Sequence, residues 1–228
     1  MRFAFDDLIA VMAHLRGTDG CPWDREQTHA SLAPYLLEES HEALEAITRG
    51  DPAALRDELG DVLLQVVFHA QMAREAGSFD ADAVVDGLTR KLLDRHPHVF
   101  GDLHLGTARE VLAHWEQIKR REAPDRPIFD GIPASLPALS RAQKLLRRSH
   151  AGEAARRGAA DALVAVRATI DSAAGPLTNA EAAPASPDAQ EALGDLLLAV
   201  VALAAAAGVD AEGALRHACE RFVARWET

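Results

Sequence analysis

Cysteine is almost absent from this chain: of 228 residues only Cys21 and Cys219 are cysteine, and neither belongs to a CxxC or CxxH pairing. That excludes a disulfide framework and a thiolate zinc site, and makes a reducing cytoplasm the expected compartment. Aromatic residues are sparse at 5%, and no segment alternates with the period of two that a half-buried strand needs. Basic residues are outnumbered, 24 Lys and Arg against 35 Asp and Glu, for a net charge of −11. A nucleic-acid backbone is therefore not an expected partner, and a polyphosphate ligand would need a cation or a local basic patch between it and the protein. Long apolar runs are missing too. The longest, Leu196 to Val209, suits a buried core helix better than a membrane span. The start of the chain, from Met1 to Asp7, carries acids where a signal peptide needs an apolar core. What remains, 48% hydrophobic and 26% charged residues with abundant alanine, is the composition of a helical globular protein.

Helices and their punctuation account for the N-terminal half. Phe5, Leu8, Ile9, Met12 and Leu15 recur at helical spacing up to Gly17. A loop is expected from Gly17 to Asp24, with Trp23 in a Gly/Pro-rich turn. A long helix from about Thr28 stops at Gly50. Asp51 and Pro52 then cap and open another, closed near Gly77. Asp80 caps a fourth helix that ends before Pro97, and Thr107 with Glu110 forms a capping box for a fifth, through about Glu122. The proline-rich stretch 123–139 reads as a connector between a domain at 1–122 and another at 140–228. A loop is expected over Ala173 to Gln190. The fold class is all-α.

The two halves repeat one another. The nine residues from Leu59-Gly60-Asp61 to Val67 align with those from Leu193-Gly194-Asp195 to Val201, and Gly77, Asp80, Lys91 and Arg95 align with Gly208, Asp210, Arg221 and Arg225. A duplicated helical unit explains this economically. The second copy lacks the acids of the first: Ala192 replaces Glu58, and nothing matches the run Glu38-Glu39-Ser40-His41-Glu42.

Those acids are the chemical signal. Glu39 and Glu42 are three apart, as are Glu58 and Asp61, so on helices each pair shares a face. Two such helices side by side would gather four carboxylates, the oxygen donors that Mg²⁺ takes. A solvated helix face is the competing explanation, since glutamate is a good helix former. Against it, the positions four beyond Glu39 and Glu42 are Ala43 and Ala46, so the usual basic partners are missing. Asp61 also runs straight into Val62-Leu63-Leu64, where burial of an unpaired charge would cost several kcal/mol, about 3–5 when a buried pair is broken. From the residues alone both readings stay open.

The series Gly20-Cys21-Pro22-Trp23-Asp24 with Gln27-Thr28, EExxE at Glu38–Glu42, ExxD at Glu58–Asp61, Arg95-His96-Pro97-His98, Trp115-Glu116-Gln117-Ile118-Lys119 and Ile132-Pro133 resembles the MazG family of all-α nucleotide pyrophosphohydrolases. The likeness is dense to about residue 145 and weak beyond it. The resemblance implies two tandem helical domains, bundles completed by homodimerisation, and hydrolysis of nucleoside triphosphates between the α and β phosphates. It implies Mg²⁺, with Mn²⁺ as a possible substitute, held by Glu39, Glu42, Glu58 and Asp61, and Glu38 to orient or deprotonate the attacking water. Lys91 and Arg95 would meet the triphosphate, with Trp115, Lys119 and Trp23 near the nucleotide. In enteric members the C-terminal copy carries the full acidic set; here that copy is degenerate, and activity is expected in the first. Broad nucleotide-pool housecleaning is the expected role. The alternatives are a narrow-specificity deoxynucleotide pyrophosphatase of the same superfamily, against which the Cys-Pro-Trp-Asp loop counts, and a non-catalytic helical dimerisation module, which would need no Mg²⁺.

Overall fold

The computed structural model describes residues 2–122, 127–149, 158–178 and 186–226, and among these every regular element is helical. The chain divides into two compact units, residues 1–121 and 122–228.

The first unit is built on a helical hairpin. Helix α3 (His29–Arg49) begins where the Thr28 hydroxyl accepts the Ser31 N–H, and ends at Gly50, whose φ of +67° suits a residue without a side chain. Asp51 caps α4 (Pro52–Glu75) by accepting the N–H groups of Ala53 and Ala54, and Pro52 sets its first turn. So short a link folds α4 back along α3, and the pairing runs antiparallel: Glu39 meets Glu58 and Asp61, while His29 meets His69. Helix α1 (Phe5–Leu15) lies against α4, and Met12 of α1, Leu32 of α3 and Val67, Phe68 and Met72 of α4 form the buried core. Helix α5 (Ala81–Arg95) starts at the Asp80 cap as expected, and α7 (Ala108–Glu122) at the Thr107–Glu110 capping box.

Two expected irregular stretches contain short helices. Pro22 initiates α2 (Pro22–Glu26) inside the loop after α1, and Pro97, expected only to follow the end of the fourth helix, initiates α6 (Pro97–Phe100). In both, proline at the first position supplies a preset φ at no hydrogen-bond cost.

The second unit contains α8 (Ala138–Arg148), α9 (Ala159–Thr178), α10 (Pro187–Ala206) and α11 (Ala211–Trp226). The loop expected over 173–190 is shorter than predicted. Helix α9 continues through Pro176 to Thr178, α10 begins at Pro187, and 179–185 lie outside the described residues. Ala173 and Ala189 are buried, so packing overrides the loop-like composition of these ends. Gln143 on α8 is buried and doubly bonded, its amide donating to the Val209 carbonyl at 2.7 Å and its oxygen accepting the Ala211 N–H at 3.3 Å. Helices α4 and α10 end alike: Gly77 and Gly208 have φ of +69° and +71°, and each is followed by an N–H that reaches back into the last turn, Ser78 to Ala73 and Val209 to Ala204.

Helix α10 is long and apolar enough to cross a membrane by length and composition. It is not the buried core helix its sequence predicts. Val201 is buried, but Leu193, Leu197 and Val200 form an exposed stripe at helical spacing.

Candidate active site

The antiparallel register of α3 and α4 brings the two acidic pairs face to face. Glu39, Glu58 and Asp61 each offer a carboxylate oxygen within 4.8 Å of the other two, the only such group of three metal-ligating residue types among the described residues. Glu42 stands against Glu58 within hydrogen-bonding reach, and Glu38 is exposed on the Glu39 side of the cluster. None of these five makes an ion pair among the described residues.

The electrostatics follow from crowding. Glu39 is pushed above its ordinary carboxylate value first by loss of hydration and then by the charges of Asp61, Glu42, Glu38 and Glu58. Glu58 is raised by the same loss of hydration, and then by Glu42 and Asp61. Both half-buried carboxylates therefore resist carrying their charge unless something positive joins them. One expectation needs correcting. Asp61 is exposed rather than buried by the apolar run that follows it, because the helix turns its side chain away from Val62 and Leu64. Loss of hydration at Glu39 and Glu58, compounded by mutual repulsion, and not burial of Asp61, is the cost at this site. Hard carboxylate oxygens with no ion pair among the described residues would suit a divalent cation such as Mg²⁺, which takes oxygen ligands.

A second group is carried by α5 and α7. The Trp115 indole donates to the Arg95 carbonyl at 2.8 Å and meets the His96 ring edge-on at 5.2 Å. Lys91 is exposed one turn before Arg95. The Lys119 side chain lies outside the described residues. Near the carboxylates, Trp23 meets Tyr35 edge-on with centroids 6.1 Å apart, and Tyr35 precedes Glu39 by one helical turn.

Sequence reasoning missed three residues. Tyr35 completes the aromatic pair with Trp23. Arg16, just past the end of α1, bonds both the Trp23 loop and Glu75 on α4, holding the Glu75 carboxyl below its ordinary value. His69, at the far end of the hairpin, faces His29 with Nδ1 atoms 2.7 Å apart and rings parallel to 3°. Centroids 5.0 Å apart fit two rings meeting end to end through one N–H···N bond rather than face to face. Each pair joins residues distant in sequence, and no motif flags them.

Comparison with known proteins bears on this site. Residues 27–100 match the model of the MazG nucleotide pyrophosphohydrolase domain, a span that contains all five acids. The chain is 44% identical to the nucleoside triphosphate pyrophosphohydrolase of Escherichia coli K12, over 97% of its own length and 85% of that protein. It is 39% identical to the nucleoside triphosphate pyrophosphohydrolase/pyrophosphatase MazG of Thermotoga maritima, over 98% of its length and 84% of the relative. The nucleoside triphosphate pyrophosphohydrolase of Mycobacterium tuberculosis matches 63% of the chain at 44% identity.

Proposed function

The chain belongs to the MazG nucleotide pyrophosphohydrolases, and from that premise we propose that Glu39, Glu42, Glu58 and Asp61 hold Mg²⁺ for the cleavage of nucleoside triphosphates to monophosphate and pyrophosphate. Nucleoside triphosphate pyrophosphohydrolysis is the activity of the family and of this enzyme. The observation that carries the metal reading is the cluster of Glu39, Glu58 and Asp61 within 4.8 Å, with Glu42 against Glu58 and no ion pair to any of them among the described residues. A bound divalent cation would neutralise phosphate charge and acidify the attacking water.

The chain's own residues supply the remainder. Glu38, exposed beside the ligands, takes a proton from water directed at the α-phosphorus. Lys91 and Arg95 meet the charge of the departing pyrophosphate, Trp115 and Lys119 serve the nucleotide, and Trp23 contacts the base. This acidic protein needs such local positive charge to admit the substrate at all. Mn²⁺ would serve in place of Mg²⁺, since it accepts the same oxygen donors.

The first unit carries the catalysis and the second is a degenerate copy. This is supported by the shared ends of α4 and α10 and by the exposed Asp195, which has Ala192 where the first copy has Glu58. The protein works as a homodimer in the cytoplasm. Leu59, Leu63 and Val66 on α4 form an exposed stripe that recurs at the aligned positions Leu193, Leu197 and Val200 of α10, and a second copy is the occupant we assign to it. Substrates range broadly over nucleoside triphosphates in a housecleaning role, without nucleic-acid or membrane partners.

Metal dependence tests the proposal. Turnover should vanish in chelator and return with Mg²⁺, and turnover persisting without any divalent cation would overturn the ligand assignment. A triphosphate panel separates broad housecleaning from the narrow-specificity alternative, which predicts one strongly favoured base.

A further inference from the structure

Arg16 takes no part in the chemistry above, yet it organises the loop that carries Trp23. Its side chain is 8% exposed, and its guanidinium lies over the Phe68 ring at 5.5 Å from the centroid. Nε and one terminal nitrogen donate to the Glu75 carboxylate at 2.7 to 3.0 Å. The other terminal nitrogen donates to the carbonyls of Asp24 and Gln27, the latter at 3.3 Å. One planar fork thus ties α4 to both sides of the loop, a geometry that a lysine ammonium does not reproduce.

The loop is fixed at other points as well. Gly20 packs so closely on the end of α1 that a Cβ would lie 2.1 Å from the Leu15 carbonyl oxygen. The Gln27 side chain donates to the Trp23 carbonyl at 2.9 Å and accepts the Ser31 hydroxyl at 2.8 Å. All this restraint holds a residue that adds little to the core: Trp23 is 50% exposed and Tyr35, its ring partner, 40%. Tying α1 to α4 requires only Glu75 and Phe68. The two carbonyl bonds do something more, which is to set where the indole stands.

We propose that Arg16 is a positioning residue for nucleobase binding, holding the 17–27 loop so that Trp23 and Tyr35 form an open aromatic shelf one helical turn from Glu39. This rests on the reading that the carboxylates engage the triphosphate, because only then does the base fall beside them. The shelf takes a planar heterocycle by stacking, which tolerates different bases since each presents a π-face.

Steady-state kinetics with ATP and dGTP test this in Arg16→Lys, Trp23→Ala and the double variant. Trp23→Ala should raise KM roughly fivefold to a hundredfold with kcat little changed, the range expected for losing one stacked base. Arg16→Lys should raise KM several-fold in the same way, and the double variant should be no worse than Trp23→Ala alone, because both act through one contact. If Arg16→Lys does not fold, Glu75→Gln loosens the same clamp from its exposed side and should shift KM in the same direction, again only while Trp23 is present. An unchanged KM in Trp23→Ala, additive effects, or a loss confined to kcat in the clamp variants would overturn the assignment. Calorimetric binding of a non-hydrolysable ATP analogue separates the two levels. Wild-type protein that binds it better than Trp23→Ala supports the shelf even if no triphosphate is hydrolysed, whereas equal affinities remove the shelf whatever the turnover.

Discussion

Replacing Glu39 by glutamine should have two opposite effects. Loss of hydration, and then the like charges around it, lift the Glu39 carboxyl above its ordinary value, so neutralising it relieves both and should raise the melting temperature of the metal-free protein. The same change removes a ligand, and should lower kcat by about a hundredfold or more and abolish the stabilisation that Mg²⁺ gives wild type. Thermal melts with and without Mg²⁺ check both halves. A metal-free variant less stable than wild type would mean that the cluster is held by contacts other than a cation. The histidine pair offers a pH test at the other end of the hairpin. Burial, and then the neighbouring His29, hold His69 below its ordinary value near 6.5. A depressed folded value favours the neutral ring, so its contribution to stability is complete above about pH 6.5 and is lost as pH falls below that. The Nε2 of His69 is buried without a partner, which suits a bare acceptor nitrogen there and places the shared proton on Nδ1. The melting temperature of wild type should fall more steeply than that of His69→Leu below about pH 6.5; equal slopes would contradict the shared-proton arrangement.

At the scale of the element, the helices were legible because their ends are written in the sequence. Thr28, Asp51 and Asp80 cap as their residue types demand, and Gly50 and Gly77 end helices with positive φ. The acids were legible because a spacing of three on a helix fixes a shared face, though sequence could not set the register that places Glu39 against Glu58. Where composition misled, packing had prevailed. Ala173 is buried and α9 runs on through Pro176 to Thr178, despite a sequence rich in loop formers. The loop after α1 was visible as a loop but not as a rigid one. Its rigidity comes from Arg16 and from the close approach at Gly20, neither of which has a local signature. Gly20→Ala should therefore destabilise the first unit by about 1 kcal/mol or more, because a Cβ at 2.1 Å from a backbone oxygen forces the loop to shift. Denaturant unfolding measures this, and an unchanged midpoint would show the loop to be freer than its hydrogen bonds imply.

For the whole molecule, the stripe Leu59, Leu63 and Val66 and its counterpart Leu193, Leu197 and Val200 leave α4 and α10 with similar uncovered faces. Leu63→Lys should shift the protein toward monomer in light scattering, and a dimer unaffected by that charge would place the interface elsewhere. The central claim is that the carboxylates of the first copy, and not the second, cleave between the α and β phosphates. Phosphorus NMR of the products from ATP with Mg²⁺ tests it most directly, comparing wild type with Asp61→Asn and Asp195→Asn. AMP and pyrophosphate from wild type and Asp195→Asn, with nothing from a folded Asp61→Asn, is the predicted result. ADP with orthophosphate, or turnover lost in Asp195→Asn and kept in Asp61→Asn, would contradict it.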